Sequence, residues 1–274
     1  MLAQLSDLHC GSAGFDDELL GTVVDEILAL APDLVVVGGD VTADGYAHQF
    51  RIAQGRLEPI ITAGLTMVVV PGNHDAKHVG HLHFTDAFGP GDVTGRSDRA
   101  LQLTGGLDQT VQIVAIDSSQ PDLPDGAVGR ERYEWIRGHF GAVADTRVLV
   151  LHHHLLPVPG TGRERSVVAD AGDVLGLVTS CGVDLVLSGH KHVPNVWLLN
   201  GTLLVNSGTA SSHLLRGYVR PSYNVIEITD AEIAVTLRFP GTGERRLATL
   251  HRPDRRLVSD TDTAAMFDKA GWHI

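Results

Sequence analysis

Hydrophobic positions along the chain gather in short unbroken runs separated by polar, glycine-containing turns. Leu2–Leu5, Leu34–Val37, Met67–Val70, Val148–Leu151 and Val183–Leu187 are continuous rather than alternating, which is how strands covered on both faces read. Between the first two, Leu19, Leu20, Val23, Val24, Ile27 and Leu28 recur at helical spacing and stop before Pro32, so a helix is predicted there. Strand–helix–strand alternation predicts crossover units and a mostly parallel sheet in the first half. The second half reads differently. Val111–Ile116 predicts a strand, and Arg130–Phe140 and Asp170–Thr179 predict helices. Strand then follows strand at Val196–Leu199, Thr202–Val205, Tyr223–Ile228, Glu232–Phe239 and Arg245–Leu250. Asn200-Gly201 is a strong hairpin signal, and a second, more antiparallel sheet is expected. Residues 1–250 read as one large domain and residues 251–274 as a polar C-terminal tail.

Composition narrows the class. The 274 residues are 43% hydrophobic and 20% charged, the balance of a soluble globular protein with a real core. With 21 Lys+Arg against 33 Asp+Glu the formal charge is −12, which disfavours wrapping nucleic acid or anionic membrane by bulk electrostatics. Two cysteines, Cys10 and Cys181, are too few for a disulfide framework. No apolar run approaches the ~18 residues of a membrane helix, and the first residues lack the basic and apolar regions of a secretion signal. The expected location is the cytoplasm.

The chemistry sits where the strands end. The first ends in Ser6-Asp7-Leu8-His9 and the second in Gly38-Gly39-Asp40. The third runs into Pro71-Gly72-Asn73-His74-Asp75, the fourth into His152-His153-His154, and the fifth into Ser188-Gly189-His190-Lys191-His192. In open α/β sheets the crevice beyond the carboxyl ends of the strands binds ligands, so these segments are expected to converge. Mixed oxygen and imidazole donors without a thiolate cluster suit Mn, Fe, Zn, Co or Ni, and disfavour a structural zinc site. The glycines let the chain turn sharply and approach a bound ion closely.

In order and spacing, Asp7-Leu-His9, Gly39-Asp40, Gly72-Asn-His-Asp75, His152 after its strand and Gly189-His-Lys-His192 resemble the calcineurin-like metallophosphoesterases, over about Leu2 to Thr209. Five ordered blocks make the likeness specific. Ile116-Asp-Ser-Ser119 and Gly129–Ile136 resemble the subgroup of class III cyclic nucleotide and glycerophosphodiester phosphodiesterases. The resemblance implies an α/β fold, a four-layer α/β/β/α sandwich with two mixed β-sheets. It implies two divalent or trivalent metal ions, one on Asp7, His9, Asp40 and His192, the other on Asp40, Asn73, His152 and His190, with Asp40 bridging. The family's residues after the ligand histidine differ from His153-His154-Leu155 here, so which imidazole of 152–154 binds is fixed only by that alignment.

The implied reaction is in-line attack on a phosphoester by a metal-bridging hydroxide, in a site of roughly +1 formal charge that attracts an anion without a basic patch. His74 would donate to the developing charge or protonate the leaving oxygen, and Asp75 would orient His74 or its loop. The expected substrate is a small phosphodiester, a cyclic nucleotide or glycerophosphodiester. A phosphomonoesterase, a DNA exonuclease of the same superfamily and a metal-free interaction module are the alternatives. No membrane partner is expected, nucleic acid is disfavoured, and the oligomeric state, a homodimer included, stays open. His153, Arg163, Arg165 and His78 are candidate substrate contacts. An ion pair of the arginines with Glu164 or Asp170 is an equal reading, and solvated loop positions are the favoured reading for His78, His81 and His83. Cys10 reads as a small packed residue, while Leu214 and Leu215 read equally as cleft rim or packing.

Overall fold

Each unbroken apolar run folds as a strand because both of its faces find cover. In the computed structural model, which describes residues 1–92, 96–105, 109–161, 166–215 and 219–259, β1 (Leu2–Leu5), β2 (Leu34–Val37) and β3 (Met67–Val69) lie parallel in the order of the sequence. Along β2, Val35 and Val37 join one apolar cluster while Leu34 and Val36 join another. The first cluster lies under α1 (Asp17–Leu30), α2 (Ala47–Thr62) and α3 (Gly80–Phe88), through Leu20, Val23, Ile27, Phe50, Leu57, Ile60 and Phe84. The Asp16 carboxylate caps α1 by accepting from the Leu19 N–H at 2.9 Å, and Pro32 follows its left-handed terminus at Ala31.

A second sheet holds β4 (Arg99–Thr104), β5 (Thr110–Ile116), β6 (Thr146–Leu151), β7 (Leu185–Ser188), β8 (Asn195–Leu199) and β9 (Thr202–Asn206), in the order β4-β5-β6-β7-β9-β8. Its four central strands are parallel and both edges antiparallel. A 3-10 turn at Arg130–Arg132, α4 (Tyr133–Phe140) and α5 (Ala171–Ser180) accompany it, and Ile136, Phe140, Val174 and Leu177 pack on Leu149 and Leu151. The opposite side chains, Val148 and Val150, meet Leu34, Val36 and Val70 of the first sheet. Three apolar seams between four layers make the α/β/β/α sandwich.

The two mixed sheets that the resemblance implied are present, but the placing of the later strands in a second, more antiparallel sheet is corrected. β10 (Tyr223–Ile228), β11 (Glu232–Phe239), β12 (Gly243–His251) and β13 (Arg256–Ser259) form an antiparallel meander that joins the first sheet, because β10 pairs with the open edge of β1. Both sheets are therefore mixed, with seven and six strands. β13 falls within the segment expected as a tail, so paired structure continues past residue 250. No helix among the described residues is long and apolar enough to cross a membrane.

Candidate active site

The parallel strands all deliver their carboxyl ends to one place. Asp7 and His9 leave β1, Asp40 leaves β2, Asn73 and His74 follow β3, His152 follows β6, and His190 and His192 follow β7. The turns are knit to one another by backbone bonds: Asp7 N–H to Gly39 O at 2.9 Å, His9 N–H to Asp40 O at 2.9 Å, and Gly189 N–H to His152 O at 2.9 Å. Close approach has a sequence cause at two glycines. A Cβ on Gly189 would strike the Ser6 hydroxyl, and one on Gly72 would strike the Asp40 carboxylate. Asp7, His9, Asp40, His190 and His192 all adopt positive φ, between 50° and 74°, a region that side chains with a Cβ seldom occupy. That conformation aims them inward, and it persists because the surrounding bonds over-determine it.

The side chains form three overlapping groups: Asp7, His9 and His192; His9, Asp40 and His74; Asp40, His152 and His190. Within each, the nitrogen and carboxylate oxygen atoms lie within 4.8 Å of one another. Three imidazoles are fixed from behind, with Nδ1–H donating to Gly38 O from His152 at 2.7 Å, to Asn73 Oδ1 from His190 at 3.0 Å and to Leu214 O from His192 at 2.7 Å. Those bonds leave Nε2 as the bare nitrogen of each ring in its neutral form, the atom available to a metal. The buried Nε2 atoms of His152 and His190 have no hydrogen-bond partner among the described residues. His9 Nε2 and His192 Nε2 stand 2.9 Å apart, with Asp7 Oδ1 3.3 Å from the latter. Bare nitrogens and carboxylates converging from buried side chains are a donor set for a divalent cation, and the residues fit one.

Titration behaviour agrees with a site that calls for positive charge. Burial opposes charge on His152, yet the Asp40 carboxylate 3.3 Å away outweighs it and lifts the imidazole to about 9. His192 is raised in the same way, burial being outweighed by Asp7. Burial pushes His9 down to about 4, with Asp40 opposing. For Asp40 itself burial is overcome by His152, and its carboxyl lies well below the ordinary range.

Asp75 serves the loop rather than His74. Its fully buried carboxylate accepts from Val41 N–H, Thr42 N–H, the Thr42 hydroxyl and Gly72 N–H at 2.7–3.1 Å, tying the turn after β2 to the turn after β3. Burial, then Asp40, raises it to about 6. His74 is oriented otherwise: its N–H donates to Asp40 Oδ1 at 2.8 Å, and its Nδ1 lies 2.5 Å from Ala43 O and 2.9 Å from Lys77 Nζ. The sequence reading missed Lys77, although it stands three residues after His74.

A cleft of about 520 Å³ opens over the cluster, lined by Gly11, Ser12, Ala13, Pro124, Ser166 and Leu214 beside His9, His74 and His192. His153 is buried behind it, Nδ1 2.9 Å from the Ser118 hydroxyl and its ring 4.8 Å from that of His190. His78 is exposed, stacked on Tyr46 at 5.0 Å, and neither residue lines the cleft. His81 and His83 lie on α3 rather than in a loop. Arg163 and Arg165 lie outside the described residues. Cys10 packs in the first apolar seam, and burial pushes its thiol up to about 12.

Comparison with known proteins points one way. A sequence model of calcineurin-like phosphoesterases matches residues 1–194. A Synechococcus protein named "Probable cyclic nucleotide phosphodiesterase" is 26% identical over 59% of this chain and 58% of its own, so the chain spans little more than half of that relative. An Arcobacter nitrofigilis protein named "Probable glycerophosphodiester phosphodiesterase" is 25% identical over 77% of this chain and 78% of its own. Among solved structures, a dimetal phosphatase from Danio rerio superposes with a TM-score of 0.68 over 89% of this chain and 97% of its own. At 10% identity that last likeness is one of fold.

Proposed function

The chain belongs to the calcineurin-like phosphoesterase family, and on that footing we propose that it is a metal-dependent hydrolase of a small phosphodiester, of the cyclic nucleotide or glycerophosphodiester kind. The observation that carries the reading is the convergence of Asp7, His9, Asp40, His74, His152, His190 and His192 in three overlapping groups under one cleft. Asp7, His9, Asp40 and His192 would hold one divalent ion. Asp40, Asn73, His152 and His190 would hold the second, with Asp40 shared and a second lone pair of Asn73 Oδ1 free beside its bond from His190. When bound, such ions supply Lewis acidity, activating water near neutral pH and neutralising phosphoryl oxygens. Mixed nitrogen and oxygen donors match Mn, Fe, Zn, Co or Ni.

The chain's own groups do the rest. The bonds from Nδ1 to Gly38, Asn73 and Leu214 hold the imidazoles in place before any ligand arrives, so little ordering remains at the moment of reaction. His74, on the cleft wall, would donate from Nε2 to the phosphoryl or leaving oxygen. Small residues at Gly11, Ser12 and Ala13 leave room for the second substituent of a diester, and the relatives named as diesterases support the same choice. The free cysteines fit a cytoplasmic setting.

The test is metal-reconstituted protein against matched mono- and diesters, cyclic nucleotides and glycerophosphodiesters included, with kcat/KM compared. The expected result is a diester preference that disappears with chelation. Equal efficiency on the monoester overturns the diester assignment, and metal-loaded protein inert on every phosphoester overturns the hydrolase reading.

A further inference from the structure

Two apolar side chains larger than alanine line the cleft, Pro124 and Leu214; among the described residues the rest of its lining is small or polar. Both are exposed, Leu214 by 54%. A single exposed leucine is ordinary on a protein surface, but these two share one cleft and are firmly mounted.

Leu214 has both backbone groups engaged. Its N–H donates to Ser212 Oγ at 3.1 Å, and its carbonyl accepts from His192 Nδ1–H at 2.7 Å. The segment before it is stitched to the loop leaving β1: Asp16 N–H donates to Ser211 O and His213 N–H to Gly14 O, both at 2.8 Å, and the Ser211 hydroxyl donates to Leu8 O at 3.1 Å. Gly14 gives the side chain its seat, since a Cβ there would stand 2.7 Å from Leu214 Cγ. Pro124 rides on the loop between Asp117 and Ala127. Arg132 closes the neck of that loop, Nη1 donating to Asp117 O at 2.7 Å and Nη2 to Ala127 O at 2.8 Å. The guanidinium is balanced by the Asp98 carboxylate 3.0 Å away, and both are buried. The Asp-Ser-Ser stretch after β5 and the stretch that begins at Gly129 thus meet in one clasp behind the cleft.

We infer that Leu214, with Pro124, forms an apolar subsite that selects a phosphoester carrying a flat or apolar substituent, a nucleobase or aryl group, over one carrying a polyol. The inference rests on the reading of the cleft as a phosphodiester site, and it decides between the two substrate kinds proposed for it. A cyclic nucleotide can lay the face of its base on an apolar wall, whereas glycerol brings hydroxyls that such a wall leaves without partners. Both side chains are ordered before a ligand arrives, so little freedom is lost on contact. Leu214 acts on binding and not on the chemical step, which places its effect in KM.

The experiment measures phenylphosphonate and methylphosphonate binding to the zinc-loaded full chain by calorimetry, the two probes sharing a headgroup. Wild type is expected to bind the phenyl compound about tenfold more tightly, the low end of what an apolar contact discriminates, because Leu214 stays half open to solvent. Leu214→Ala should reduce that ratio to less than about twofold, while Leu214→Met and Leu215→Ala retain it. In turnover, Leu214→Ala should raise KM for cyclic AMP about tenfold and leave KM for glycerophosphoethanolamine and both kcat values within about twofold. Equal affinity for the two phosphonates in wild type, no measurable binding of phenylphosphonate, or a ratio unmoved by Leu214→Ala overturns the inference. A phenyl preference lost in Leu214→Ala, in a protein that hydrolyses no diester, would overturn the hydrolase reading and leave the apolar subsite standing.

Discussion

Asp40 and Asp184 are both buried carboxylates at strand ends, and the protein answers them in opposite ways. Asp184 precedes β7, at its amino end. It accepts from Arg147 N–H at 3.0 Å and lies 3.3 Å from Arg255 Nη1 and 3.7 Å from Arg252 Nη2. A guanidinium is charged at every physiological pH, so that end of the sandwich carries its own compensation. Asp40, at the carboxyl end of β2, has one backbone donor, His74 N–H, and imidazoles: His152 at 3.3 Å and His9 at 3.8 Å. Imidazoles bring positive charge only by taking up a proton or by sharing a cation. Backbone conformation divides the same way. Of ten residues other than glycine with positive φ among the described residues, five are Asp7, His9, Asp40, His190 and His192. One end is built to be complete and the other to be completed, which is where local rules are expected to be broken for function.

The sharpest way to break this contrast is Asp40→Ala. Bound metal and turnover should fall together, with kcat/KM down about 10³-fold or more, since in the proposed arrangement Asp40 would serve both positions of a two-ion clamp. Elemental analysis beside steady-state kinetics checks it, and an active Asp40→Ala protein with full metal content would end the claim that the carboxyl end depends on imported charge. Next comes His74→Ala, expected to lower kcat about 10²- to 10³-fold with metal content unchanged. Loss of metal in that variant would move His74 from donor to ligand, as its place in the group with His9 and Asp40 permits.

How far the sequence revealed this depended on what kind of partner each residue uses. Strands buried on both faces read as unbroken runs, and the chemistry lies directly after them, so Asp7, Asp40, Asn73, His152 and His190 could be picked out by position. Strand β4 was missed because an edge strand with partly exposed side chains has no such run. Helix α2 carries Phe50, Ala53, Leu57 and Ile60 at helical spacing, but Gly55 and Pro59 interrupt the pattern, and α3 was hidden by its histidines. The meander β10–β13 was legible as strands but not as part of the first sheet, because pairing β10 with β1 is a contact between distant segments. The carbonyls of Gly38, Ala43 and Leu214, which set three imidazoles, left no trace at all, since every residue has a carbonyl. The role of Asp75 turned on the same kind of partner, three backbone N–H groups.

Smaller effects sharpen the contrast further. Asp75→Asn replaces an acceptor of four hydrogen bonds by an amide that presents N–H to N–H, and should cost about 2–3 kcal/mol of stability. Because the two turns it joins carry Asp40 and His74, a fall in kcat of about tenfold should accompany the lower Tm. A Tm loss with kcat intact would make Asp75 scaffold alone.

The smallest effect is expected at the other end. Asp184→Ala should cost about 1–2 kcal/mol in a denaturant titration, less than a sealed ion pair would, because Arg255 is half exposed and keeps water as a partner. Metal content and kcat should not move. The two ends are not mechanically independent, however: β7 has Asp184 before its first residue and His190 just past its last. If Asp184→Ala lowers metal content or kcat as well as stability, the strand transmits disorder at its base to the candidate ligands at its tip, and the two ends form one cooperative unit. If only stability changes, the arginine clasp and the candidate metal site are separate solutions to burying a carboxylate, joined by four residues of strand.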